Sequence, residues 1–257
     1  MLPLISSEEV VAKLALRVAP GAVVAFDADG TIWSGDIGVD TFERMLETRA
    51  VRSEAGPALR REAATHGIEA PDDPTDAARA LYRAYERGTY PESDAFQMMA
   101  WAFAGYPEAE VRAFGLDVIE RVGLASRLHP EVLPVLAWTA ENRVPLYVVS
   151  ASCEIVVRAA LQRLALPVTD VFAMSPAVED GVVAARVREP VTYGTGKVDA
   201  LRRGARDAPL IGAFGDSAYD LAMLAESAVA IAVRPKPELR ARAGTCPGLV
   251  ELSPRVA

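Results

Sequence analysis

Four short apolar runs without polar alternation punctuate the chain: Val23 to Asp27, Leu146 to Ser150, Leu210 to Phe214 and Val229 to Val233. Such runs suit strands covered on both faces, as in a parallel sheet. Patterns of helical period alternate with the later runs, over Glu131 to Asn142, Cys153 to Leu164, Lys197 to Arg206 and Ala218 to Glu226. Strand and helix in alternation predict a doubly wound α/β sheet of Rossmann-like type. Between Asp170 and Pro190 apolar stretches flank Glu179-Asp180-Gly181, which predicts a β-hairpin. Near the start, Ser6 and Glu9 have the spacing of a helix capping box before an amphipathic helix.

The stretch from about Gly38 to Ser126 has helical periodicity and is rich in Ala, Glu and Arg. Pro71 and Pro74 interrupt it, and Pro91 and Pro107 stand where helices can start. It is read as a mostly α-helical cap domain, residues 38–126, inserted into a catalytic core of residues 1–37 and 127–257. An insertion at this point sits over the carboxyl ends of the strands, where open α/β sheets bind ligands. Connections near Gly38 and Ser126 would then serve as hinges.

Composition narrows the function. With 257 residues, 51% of them hydrophobic, the chain can bury a large core. Its net charge of −8 argues against a nucleic-acid surface. No apolar run approaches a membrane span, and a soluble cytoplasmic protein is expected. Cys153 and Cys246 lack a metal-binding spacing. His66 and His129 are too few and too isolated to suggest a metal site.

Four polar clusters follow strand ends. Val-Val-Ala-Phe-Asp27-Ala-Asp29-Gly30-Thr31 delivers two acids into a glycine turn. Two carboxylates at a buried strand end repel and lose hydration, a cost that a divalent cation offsets. A calcium loop does not fit, because glycine falls at the fourth position and Gly38 stands where a glutamate is needed. In Gly215-Asp216-Ser217-Ala-Tyr-Asp220 a second strand ends in acids four apart, near one face if a helix begins there. Asp216 could equally cap that helix. Ser150-Ala151-Ser152 ends a strand before a helix, where free N–H groups suit a phosphate, although a cap is the simpler role. Gly194-Thr195-Gly196-Lys197 looks like a phosphate loop only superficially, since Val191 and Val198 occupy positions that the motif reserves for Gly and Ser or Thr.

Together and in this order, the clusters resemble the haloacid dehalogenase superfamily of phosphohydrolases. Asp27, Asp29, Gly30 and Thr31 are similar to its first motif, Ser150 to its second, Lys197 to its third, and Gly215-Asp216 with Asp220 to its fourth. The insertion point and the hairpin resemble the phosphoserine-phosphatase-like branch. The resemblance implies that Asp27 attacks phosphorus and that Asp29 exchanges protons with the leaving oxygen and then with water. It implies Mg²⁺ on Asp27, the Asp29 carbonyl and Asp216, with Asp220 supporting the metal or orienting Lys197. Ser150 and the N–H of Ala151 would hold phosphoryl oxygens, Lys197 would offset developing charge, and Thr31 would hydrogen-bond near the first loop.

The expected reaction is Mg²⁺-dependent hydrolysis of a small phosphomonoester. Transfer to another hydroxyl, as in a phosphotransferase or mutase, and non-catalytic phosphate binding are the alternatives. Asp36 matches an acid that contacts the substrate amine in phosphoserine phosphatases, or it caps the next helix. Tyr219 stands where that branch usually has Asn, and Ser-Ala-Ser replaces Ser-Gly-Gly. Tyr82, Tyr85, Tyr90, Phe96, Trp101, Phe103 and Tyr106 crowd the insertion. They could form a cage for a choline-like group, with Trp33 and Trp101 as its test, or pack a helix core through Phe96 and Phe103.

Overall fold

The computed structural model describes residues 2–255. Among the described residues nine strands form: β1 (Leu4–Ile5), β2 (Val23–Phe26), β3 (Leu146–Cys153), β4 (Asp170–Met174), β5 (Pro176–Glu179), β6 (Val182–Val187), β7 (Leu210–Gly215), β8 (Ala230–Val233) and β9 (Val250–Leu252). Seven build one parallel sheet in the order β1-β9-β8-β7-β2-β3-β4. The four apolar runs supply its centre. The edge strands β1 and β4, and β9 beside β1, are not among those runs: β1 and β9 are only two and three residues long, and β4 opens on Asp170.

Helices cover the sheet: α1 (Ser7–Ala15), then α2 (Ile37–Glu47), α3 (Gly56–Thr65), α4 (Pro74–Glu86), α5 (Glu92–Trp101) and α6 (Glu108–Arg121) in the insertion, then α7 (Leu133–Glu141), α8 (Glu154–Arg163), α9 (Gly196–Ala205), α10 (Leu221–Ala225) and α11 (Pro237–Ala241). Ser6 caps α1 with Glu9 closing a capping box. Pro74 opens α4, and Pro91 and Pro107 immediately precede α5 and α6, where a missing N–H costs nothing. Among the described residues no helix is long and apolar enough to cross a membrane.

The hairpin β5–β6 turns through Asp180 and Gly181, both at positive φ (50° and 80°), as a two-residue turn requires. It packs on the insertion: Gly105 N and Glu108 N donate to Val183 O and Gly181 O. The insertion leaves the sheet after β2 and returns before α7 along paired backbones. Ser34 N donates to Arg127 O at 2.9 Å and His129 N to Ile32 O at 2.9 Å. Gly38 is buried in the first turn of α2, against Ser152, so the outgoing connection is the loop before Asp36 and not Gly38.

Candidate active site

Strand order reverses at β2, which lies between β7 and β3. Phe26 and Phe214 stack at 3.9 Å, nearly parallel, and Asp27 N donates to Phe214 O, so the ends of β2 and β7 are locked side by side. Asp27 and Asp216 emerge there. Gly30 turns the chain at φ +80°, and a Cβ at Gly30 would collide with the Asp216 carboxylate. Glycine is what lets the first loop close onto the second.

Asp27 Oδ1 accepts from Lys197 Nζ at 2.7 Å, and its Oδ2 from the Thr31 hydroxyl at 3.1 Å. Lys197 also donates to Asp220 Oδ1 at 2.6 Å. The other Asp220 oxygen accepts from Asp216 N, Ser217 N and the Ser217 hydroxyl at 2.9–3.1 Å. Asp220 is completely buried, and its acceptors are taken by protein donors. It therefore shapes the Asp216–Ser217 turn and aims Lys197. The helix expected from Ala218 begins as a 3₁₀ turn, which folds Asp220 back onto that loop. Lys236, not foreseen from the sequence, lies 2.9 Å from Asp216 Oδ2.

The glycines before Lys197 serve packing. Gly194 adopts φ +56°, and a Cβ at Gly196 would run into the Val191 carbonyl. This close approach starts α9 and sends Lys197 inward, only 3% exposed.

Burial pushes Asp27 well above the usual carboxylate range; Lys197 opposes the shift, and Asp220 and Asp216 add to it. Burial disfavours the Lys197 charge, but Asp220 and Asp27 outweigh that and raise its pKa. Asp216 is pushed up to about 6 by burial and by Asp220, against Lys236. Asp27, Asp216 and Asp220 are all buried, and each offers an oxygen within 4.8 Å of the others. Clustered hard oxygen donors of one charge fit a divalent cation such as Mg²⁺.

Asp29 points elsewhere. Its Oδ1 accepts from Trp33 Nε1 and Ile37 N, both at 2.8 Å; its Oδ2 accepts from the Ser152 hydroxyl at 2.8 Å and Ser150 Oγ at 3.5 Å. Burial raises its pKa despite these bonds. Asp36 caps α2 through Val39 N at 2.9 Å, as one of its two expected roles requires, and the same carboxylate borders the cleft beside Ser152. Burial and the nearby Asp29 push its carboxyl up to about 7.

Ser150, Ala151 and Ser152 line the same cleft but are not at a helix start. Pairing of Cys153 with Met174 across a bulge carries β3 onward, and α8 begins only at Glu154. Ser150 Oγ instead accepts from Ser152 N at 3.0 Å. The cleft is narrow, with about 50 Å³ of free space, is partly open to solvent, and is walled by Glu92, Phe96, Tyr193 and Tyr219. Trp33 and Trp101, proposed for a cage, are 0% and 7% exposed and lie in the core. Both residues assigned to core packing, Phe96 and Phe103, are in the core, and Phe96 also borders the cleft.

His129 is buried with Nδ1 3.0 Å from Thr31 O, and burial lowers its pKa. His66 is not isolated: its Nε2 lies 3.2 Å from Glu62 and 3.4 Å from Asp94, in the insertion. Cys153 and Cys246 are buried and unpaired.

The sequence pattern of haloacid dehalogenase-like hydrolases matches residues 24–225. No curated protein matches the chain. Similar solved structures include a Bordetella pertussis Tohama I protein of unknown function (TM-score 0.70, 19% identity, covering 90% of this chain and 98% of that one). An Anaerococcus prevotii protein of unknown function is also similar (TM-score 0.68, 15% identity, 98% and 93% covered). A substrate-bound phosphoserine phosphatase shares the fold at TM-score 0.53 and 16% identity, with 89% and 92% covered. The chain belongs to the haloacid dehalogenase-like hydrolase family.

Proposed function

We propose that this protein is a Mg²⁺-dependent phosphatase of the cytoplasm that hydrolyses a small phosphomonoester through a phosphoaspartate on Asp27. The observation that carries this reading is the buried Asp27 carboxylate, held at 2.7 Å by Lys197 and grouped with Asp216 at the meeting of two strand ends. Asp27, the Asp29 carbonyl and Asp216 would hold Mg²⁺, with Asp220 behind them. The cation supplies charge neutralisation, without which a carboxylate and a phosphate dianion repel.

A carboxylate oxygen of Asp27 forms a bond to phosphorus as the ester P–O bond breaks. The leaving oxygen takes a proton from Asp29. Trp33 Nε1 and Ile37 N can only donate, so they fix Oδ1 as an acceptor; Oδ2 faces serine hydroxyls, which also accept. Oδ2 is therefore the oxygen that carries the proton. Asp29 next takes a proton from water, whose oxygen attacks phosphorus and frees Asp27 and inorganic phosphate. Lys197 and the Ser150 hydroxyl offset charge on the phosphoryl oxygens. The helical insertion acts as a cap that limits entry to small esters. Asp36 and Glu92 support a leaving alcohol bearing an amine or choline-like group.

The test is phosphate release from phosphoserine, phosphocholine, phosphoethanolamine, sugar phosphates and nucleotides with Mg²⁺, beside Asp27→Asn. Release by the wild type alone is expected. Ester consumption without matching free phosphate would replace hydrolysis by transfer, and no consumption of any ester would overturn the reading.

A further inference from the structure

One end of the cleft is not used by the phosphoryl chemistry. Glu92, in the first turn of α5, and Phe96 line it with Tyr193 and Tyr219 of the sheet loops. The rings form a continuous wall: Phe96 and Tyr193 have centroids 6.3 Å apart, Tyr193 and Tyr219 4.4 Å. The Tyr219 hydroxyl donates to Glu92 Oε2 at 2.8 Å, so a helix of the insertion and the loop after β7 meet at one carboxylate. Asp36 borders the same cleft, and its partners are the Val39 N–H and the Ser152 hydroxyl. Glu92 and Asp36 thus face hydroxyls and an amide, while Lys236 is engaged by Asp216 at 2.9 Å and Lys197 by Asp27 and Asp220.

We propose that Glu92, Phe96, Tyr193 and Tyr219, with Asp36, form a cradle that selects esters of an alkylated ammonium alcohol. This deepens the phosphatase reading and rests on it. Carboxylates alone would suit a primary amine, which needs several acceptors, but one Glu92 oxygen already takes the Tyr219 hydroxyl. Aromatic faces alone would suit a neutral alkyl group, but that would leave Glu92 with only the Tyr219 hydroxyl, and Asp36 with no cation but Lys236, which Asp216 already engages. A methylated cation satisfies both, because ring faces attract its diffuse charge and lose little by displacing water. Tyr219 belongs to the cradle because its ring lies 4.4 Å from that of Tyr193 and its hydroxyl meets Glu92.

The test compares phosphocholine with its carbon isostere, dimethylbutyl phosphate, and with phosphoethanolamine. It uses both turnover with Mg²⁺ and calorimetric binding to Asp27→Asn, while p-nitrophenyl phosphate separately reports the phosphoryl chemistry. Phosphocholine should be favoured over both by about tenfold or more, the scale of a desolvated cation–aromatic contact. Glu92→Gln and Tyr193→Leu should each lower that ratio several-fold, mainly through KM, and Tyr193→Phe should keep it. Equal handling of the charged and neutral isosteres, or a preference for phosphoethanolamine, would overturn the cradle. A binding preference for phosphocholine without hydrolysis of any ester would support the cradle and overturn the phosphatase reading.

Discussion

Asp27 accepts from Lys197 on one oxygen and Thr31 on the other, and Asp220 holds Lys197 from behind. Removing the lysine charge leaves a buried acid group without compensation. Lys197→Met is expected to lower kcat ~100–1000-fold and to cost roughly 3 kcal/mol of metal-free stability. A fold and rate close to wild type would remove Lys197 from the site. Trp33 tests the proton relay: its Nε1 is 2.8 Å from Asp29 Oδ1. In Trp33→Phe the lost donor raises the Asp29 pKa further, so the pH optimum should move upward and turnover fall on the order of tenfold, the worth of one bond to a charged group. An unmoved pH profile would count against that role. Asp27, Asp29, Asp216 and Asp220 were legible because acids at apolar strand ends need compensation, whereas Lys197 was legible only through the family resemblance. Lys236, Trp33 and Ser152 were not, because their roles depend on three-dimensional contacts that local spacing does not encode.

The elements aim these residues. Central strands β2, β3, β7 and β8 were legible because double-sided burial leaves an uninterrupted apolar run. The end of β3 was not, since Ser150 to Ser152 look like a helix start until pairing with β4 draws the strand on. The stacked Phe26–Phe214 pair joins the two strands that carry Asp27 and Asp216. Phe214→Ala should cost about 3–5 kcal/mol and lower activity beyond what the lost folded fraction explains. Stability unchanged in chemical denaturation would show that the pair does not hold the strand ends.

Across the molecule, the cleft concentrates acids whose pKa values lie above their ordinary range, Asp36 at about 7 and Asp216 at about 6. A carboxyl raised from 3.8 on folding binds its proton more tightly in the folded state. Stability from this source is therefore present at acid pH and is lost as pH rises through the folded pKa. The metal-free Tm should fall between about pH 5 and about pH 8, and Asp36→Asn should flatten the decline. Mg²⁺ needs the ionised Asp216, so the Tm gain on adding it should be larger at the alkaline end. An equal gain at both ends would contradict a carboxylate metal site. The doubly wound order and the inserted helices were foreseen at this scale. The aromatic wall was not, because it is assembled from α5 and two distant loops.

The most direct test of the phosphoaspartate is chemical trapping. Protein quenched during turnover of a released substrate and reduced with borohydride should yield homoserine in place of Asp27, located by peptide mass spectrometry. Reduction should occur there and be absent without substrate. An unmodified Asp27 under turnover, or homoserine at another acid, would contradict the account.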